Sequence, residues 1–153
     1  MLRMTKQADY GIVLMSHMAG DAERQLTAGE LAEETQLPAP TVSKILKILA
    51  RNNLLASHRG VKGGYSLARD TRDISVAEII SALDGPIAIT ECIDDSPGEC
   101  SQEQSCALHG NWQRINDAIR LALENITLAE MTRPLPRSLV TLGGSLQQAA
   151  TAP

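Results

Sequence analysis

Apolar positions return every three or four residues through the first third of the chain. In "TKQADYGIVLMSHMA", Ala8, Ile12, Met15 and Ala19 recur at helical spacing, as do Tyr10, Val13, Leu14 and Met18, and Thr5 is placed to cap a helix there. "TAGELAEET" predicts a second, short helix. Its Thr27 and Glu30 form a capping-box pair, in which each side chain satisfies an orphan amide at the helix start. Pro38 and Pro40 in "QLPAP" suit a tight turn and the first turn of the next helix. That third helix, "TVSKILKILARNN", is strongly amphipathic. Val42, Ile45, Leu46 and Leu49 make the apolar stripe, and Thr41, Ser43, Lys44, Lys47 and Arg51 lie away from it. A short helix, a tight turn and a helix with polar and basic outward positions make a helix-turn-helix.

The period then shortens. Leu54 to Ser57 and Tyr65 to Ala68 have the character of two short strands joined by "HRGVKGG". Gly63 and Gly64 can supply the positive φ angles of a hairpin. A basic hairpin after a helix-turn-helix is a wing. Arg59 and Lys62 are its cations, with Arg59 placed to reach a minor groove while the helix reads the major groove. Next, "ISVAEIISALDG" carries a second capping box, Ser75 with Glu78. Further on, Leu108, Trp112, Ile115, Ile119, Ala122 and Ile126 step four, three, four, three, four along a long helix. That heptad spacing wants a partner, and two-fold assembly suits a protein that reads two half-sites. Thr127 with Glu130 opens a last short helix, and from Ser138 onward no side chain is charged.

The expected fold is mainly α with a small β-wing: a winged helix-turn-helix domain plus a long dimerisation helix. Residues 1–72 would form the DNA-binding domain, 73–90 a short connecting helix and 91–110 a cysteine loop. Residues 111–132 would form the dimerisation region and 133–153 a flexible tail.

Composition narrows the class. The 153 residues are 43% hydrophobic, with Trp112, Tyr10 and Tyr65 as the only aromatics, so the core is aliphatic. No run approaches the roughly 20 apolar residues of a membrane span, so no membrane partner and a cytoplasmic location are expected. Charge is divided. Residues 1–72 hold ten Lys/Arg and seven Asp/Glu, net +3, whereas residues 73–153 hold four and eleven, net −7. Between Leu37 and Arg69 there are six basic residues and no acidic ones, a footprint for a polyanion such as double-stranded DNA. No constellation of an enzyme and no small-molecule substrate motif appears.

All three cysteines lie in "ECIDDSPGECSQEQSCALHG", spaced C-x7-C-x5-C-x2-H as Cys92, Cys100, Cys106 and His109. In a reducing compartment a cysteine cluster points to soft-metal binding or thiol redox chemistry. Structural zinc takes closer pairs, whereas an iron–sulfur cluster is a larger body around which cysteines can be spread. His109 and, farther away, Asp9 are candidates for a fourth ligand. A zinc site or a thiol switch remains open on spacing alone.

These features resemble the Rrf2-type winged-helix regulators, IscR- and NsrR-like, over roughly five-sixths of the chain. The most specific are "RGVKGGY" (Arg59 to Tyr65) and three cysteines between "IISALDG" and "LHGNWQRIN". The whole looks most like the subgroup that regulates the SUF iron–sulfur assembly system. The resemblance implies a homodimer with swapped long helices, sequence-specific DNA binding and a cluster, 2Fe–2S or 4Fe–4S, on Cys92, Cys100 and Cys106. His109 matches the histidine ligand of IscR-like members, and Asp9 the position from which nitric-oxide sensors supply a carboxylate across the dimer. Thr41, Ser43, Lys44 and Lys47 would face the major groove. One departure stands out: seven residues separate the first two cysteines, against the familiar five. Cluster type therefore stays open, as do nitric-oxide or redox sensing by the same cluster and a zinc- or thiol-based regulator.

Overall fold

Helix α1 (Lys6–Ala19) runs first, followed by α2 (Ala28–Thr35) and α3 (Ala39–Arg51). A hairpin of β1 (Leu55–His58) and β2 (Gly64–Leu67) comes next, and then α4 (Val76–Asp84), α5 (His109–Glu124) and α6 (Leu128–Met131). This is a computed structural model, and the residues it describes are 4–90, 93 and 106–133. Cys92, Cys100 and the tail beyond Arg133 lie outside them.

The predicted caps set the helix starts. Thr5 Oγ1 accepts from the Ala8 amide at 3.1 Å while its hydroxyl donates to Asp84 at 2.7 Å, which ties the start of α1 to the end of α4. Thr27–Glu30, Ser75–Glu78 and Thr127–Glu130 all form complete capping boxes. Their amides hold the glutamates in the charged form. Glu30 and Glu130 lie below the usual carboxylate range, first through the backbone N–H of Thr27 and Thr127. Burial pushes Glu78 up, but the Ser75 amide and the Arg69 guanidinium outweigh it and its net shift is downward. Helix α3 begins at Ala39, two residues earlier than the predicted start at Thr41, on Pro38 as N-cap with a proline in the first turn.

The core is aliphatic, as composition requires. Leu14, Met15, Leu31, Val42, Ile45, Leu46, Leu49, Ile74, Ile79 and Leu128 are fully buried in one cluster. Each such side chain stabilises the fold by roughly 1.5–3 kcal/mol. The stripe of α3 is buried as its pattern predicts. That of α1 is buried for the most part: Ala8, Leu14, Met15 and Met18 face inward together with Gly11, and Tyr10, Ile12 and Ala19 pack half-buried against the core, while Val13 is exposed. Gly11 belongs to the face because α4 passes there, and a Cβ on Gly11 would collide with the Leu83 side chain.

In the hairpin, Leu55 pairs Leu67 and His58 pairs Gly64, antiparallel, one residue along from the predicted limits of each strand. Of the two predicted glycines Gly64 has a positive φ (158°) and Gly63 does not, and the tip itself turns at Gly60 (φ 108°), with Gly63 N donating to Gly60 O at 2.9 Å. Gly63 is needed for closeness instead, since a Cβ there would lie 2.7 Å from His58 O. The wing also has a third rail. Leu26 and Tyr65 exchange both backbone bonds, at 3.0 and 2.7 Å, so the loop before α2 forms a bridge on the free edge of β2. A second bridge, Ser75 with Thr127, draws the end of α5 back to the start of α4. No helix among the described residues is long and apolar enough to cross a membrane.

Candidate nucleic-acid interface and cysteine site

Burying Val42, Ile45, Leu46 and Leu49 turns the other face of α3 outward. Lys44, Lys47 and Arg51 are exposed there, and Thr41 and Ser43 are half-buried at its first turns. No side chain caps the α3 N-terminus. Its first amides remain open to an acceptor such as a phosphate oxygen. The wing adds Arg59 and Lys62, both exposed.

Pairing separates these cations from the rest. Arg24 bonds Glu34 at 2.7 Å, Arg69 bonds Glu78 at 2.7 Å, Arg72 bonds Asp70 at 3.0 Å, and Arg120 bonds Glu124 at 2.7 Å. Among the described residues, Lys44, Lys47, Arg51, Arg59 and Lys62 have no carboxylate partner within ion-pair reach. Of the six basic residues between Leu37 and Arg69, five therefore lack an ion-pair partner among the described residues, and Arg69 ties the strand exit to α4. Five cations without a carboxylate partner among the described residues thus lie on one helix and the hairpin that follows it, a charge distribution that attracts polyanions.

His17 and His58 serve the scaffold. His17 Nε2 meets Glu34 at 2.7 Å and joins α1 to α2. His58 Nε2 meets Ser66 Oγ at 2.8 Å across the hairpin. Glu34 is held below the usual carboxylate range, first by His17 and then by Arg24.

The described part of the cysteine site is one turn. Cys106 is half-buried, and its carbonyl accepts from the His109 amide at 3.3 Å as the chain enters α5. His109 Nδ1 is buried and has no hydrogen-bond partner among the described residues. Buried polar atoms are rarely left so; an imidazole nitrogen one turn from a cysteine fits a metal-ligand position. Asp9 is exposed in the first turn of α1. Cys92 and Cys100 lie outside the described residues, so the structure brings together only Cys106 and His109 of the predicted set.

Sequence reasoning missed Asn116. It is the single buried polar residue among those described. Its amide accepts from Ile89 N at 3.1 Å and donates to Ile87 O at 2.9 Å. Helix α5 thus grips the segment that leads into the cysteine loop. Nothing in the heptad pattern marks it, because its partners are 27 and 29 residues away. Most of the predicted heptad seam is open to solvent: Trp112 is 38% exposed and Ile115 45% on α5, and Ile126, just past its end, 39%.

A family profile described as Rrf2, iron-dependent transcriptional regulator, matches residues 4–134. The HTH-type transcriptional regulator IscR of Cronobacter sakazakii is 30% identical over 131 residues, 85% of this chain and 80% of that protein. Among solved structures, T. potens IscR superposes with a TM-score of 0.63 at 26% identity, over 99% of this chain and 93% of its own. CymR, the global cysteine regulator of B. subtilis, superposes with a TM-score of 0.67 at 26% identity, over 86% of this chain and 97% of its own.

Proposed function

The chain belongs to the Rrf2 family of DNA-binding transcriptional regulators, which are not enzymes, and on that premise we propose that it is a homodimeric sensor of iron–sulfur status. In this reading Cys92, Cys100, Cys106 and His109 hold the cluster and the regulated genes are those of SUF-type assembly. The observation that carries the cluster is the buried Nδ1 of His109, one turn from Cys106 and without a hydrogen-bond partner among the described residues. It favours His109 over Asp9 as the fourth ligand, because Asp9 sits on α1 and His109 on the same turn as a cysteine. When bound, a cluster supplies redox-active iron on soft thiolate ligands.

The chain's own residues supply the coupling. His109 begins α5, and exposed Trp112 and Ile115 follow on the same helix, with Ile126 just past its end. Helix α4 packs against α5 and also against α1 and α3. A change at the first turn of α5 would therefore reach both the dimer seam and the DNA-reading helix. Thr41, Ser43, Lys44 and Lys47 would meet the major groove, and Arg59 and Lys62 the backbone and minor groove. Operators read by dimers have half-sites about one helical turn apart, so small changes in helix spacing change affinity.

The test is visible absorbance with iron and sulfide analysis of anaerobically purified protein. Wild type should be coloured, Cys92→Ala, Cys100→Ala and Cys106→Ala colourless, His109→Ala altered, and Asp9→Ala unchanged. Iron-free, folded wild type that binds DNA would sink the cluster reading. The likeness to CymR favours a second reading, a regulator of cysteine or thiol state that needs no cluster; a single zinc without sulfide, or no metal, would select it.

A further inference from the structure

Val61 is the most exposed large apolar side chain among those described, at 107% of the reference exposure, whereas the next, Leu108, reaches 55%. It occupies a hairpin tip, where small polar residues are the usual choice. The tip is also braced. Gly63 N bonds Gly60 O at 2.9 Å and closes a turn around Val61 and Lys62. Gln25 Nε2 donates to Lys62 O at 2.6 Å, and Leu26 pins Tyr65 on the far edge. A branched apolar group is thus held out in water on a buttressed turn, flanked along the chain by Arg59 and Lys62, which have no ion-pair partner among the described residues.

That arrangement suits a groove with anionic walls and a floor that accepts apolar contact. We propose that Val61 is the specificity-determining contact of the wing, entering the minor groove between its two cations and selecting A·T over G·C pairs there. This deepens the DNA-binding reading and rests on it. In the minor groove an A·T pair offers only acceptors, adenine N3 and thymine O2, while G·C adds the guanine N2 amine. A valine against that amine strips its water and offers no acceptor in return, and a desolvated unpaired donor is costly. Against an A·T floor no donor is stranded. Arg59 and Lys62 supply attraction to the phosphates on both walls, which is independent of the base pair.

The test uses the full-length chain and a duplex recovered by selection from random DNA. Affinity is measured with A·T, G·C or inosine·cytosine pairs at the wing-facing flank, inosine being guanine without the N2 amine. Wild type should bind the G·C duplex roughly tenfold more weakly than A·T, in line with the usual effect of one wrong pair, and inosine·cytosine should restore the A·T affinity. Val61→Asn, whose carbonyl can accept from the amine, should bring A·T and G·C within about twofold. Its unfolding midpoint should match wild type, since the site is wholly exposed. Discrimination that persists unchanged in Val61→Asn overturns the proposal, as does wild type with no flank preference. Failure to bind any duplex at low salt would instead defeat the DNA-binding reading itself.

Discussion

Asn116 on α5 holds Ile89 by its backbone, accepting the Ile89 amide at 3.1 Å while the same side chain donates to Ile87 O at 2.9 Å. One buried amide thereby satisfies a donor and an acceptor of a segment that belongs to no helix or strand. Asn116→Ala strands both. The expected cost is about 1–3 kcal/mol for the buried groups left unpaired, read as a lower midpoint of urea unfolding. Asn116→Asp should also destabilise, because a carboxylate can accept from Ile89 but cannot donate to Ile87. An unchanged midpoint in both variants would show that the clamp contributes nothing.

Gly11 faces Leu83 where α1 crosses α4. Gly11→Ala should destabilise by about 1–3 kcal/mol, the usual cost of overpacking. Combining it with Leu83→Ala should cost less than the sum of the two single changes, since the new methyl then enters the space left by leucine. Strict additivity in a double-mutant cycle would refute that contact.

The free cations should act on DNA and not on the fold. Lys44→Ala and Lys47→Ala should each lower the slope of log affinity against log salt by about 0.9, with unfolding unchanged within about 0.5 kcal/mol. Arg69→Ala, whose guanidinium is taken by Glu78 at 2.7 Å, should leave the slope alone. Equal slopes for all three variants would count against the assigned interface.

Ile115 is 45% exposed at the middle of the open seam. On the dimer reading, Ile115→Asp should give monomers in sedimentation velocity at concentrations where wild type is dimeric, with the helical signal retained. A dimer that survives this change would place the interface elsewhere.

Acid should weaken the fold through its caps and pairs. Glu30, Glu34 and Glu130 are held below their ordinary value of 4.5, and Asp70 is lowered from 3.8 to about 2, first by the Arg72 side chain and then by its amide. A carboxyl with a depressed folded pKa binds fewer protons folded than unfolded. Its contribution is thus present above the unfolded value and lost as pH falls through the folded one. Denaturant midpoints should drop below about pH 4.5, with the Asp70 share persisting to about pH 2. Midpoints that hold steady from pH 6 to pH 3 would contradict this.

Local chemistry was legible in the chain itself. The Thr27–Glu30, Ser75–Glu78 and Thr127–Glu130 boxes each span three residues, and the α3 stripe repeats within one helix, so both can be read without knowing the fold. The wing was legible as a hairpin, and its cations by their types, because a two-strand turn is also local. Tertiary structure alone decided the rest. The inward face of α1 depends on where α4 crosses, which is why Gly11 is in and Val13 is out. Leu26 braces the wing across 39 residues of chain, and Asn116 reaches back 27 to Ile89. Which of the basic residues stay unpaired depends on where the carboxylates fall in space: Glu78 takes Arg69, and none reaches Lys44, Lys47, Arg51, Arg59 or Lys62 among the described residues. A side chain's type and spacing determine what it can bond. Only the packing of distant segments determines what is within reach, and so which groups remain free for a partner.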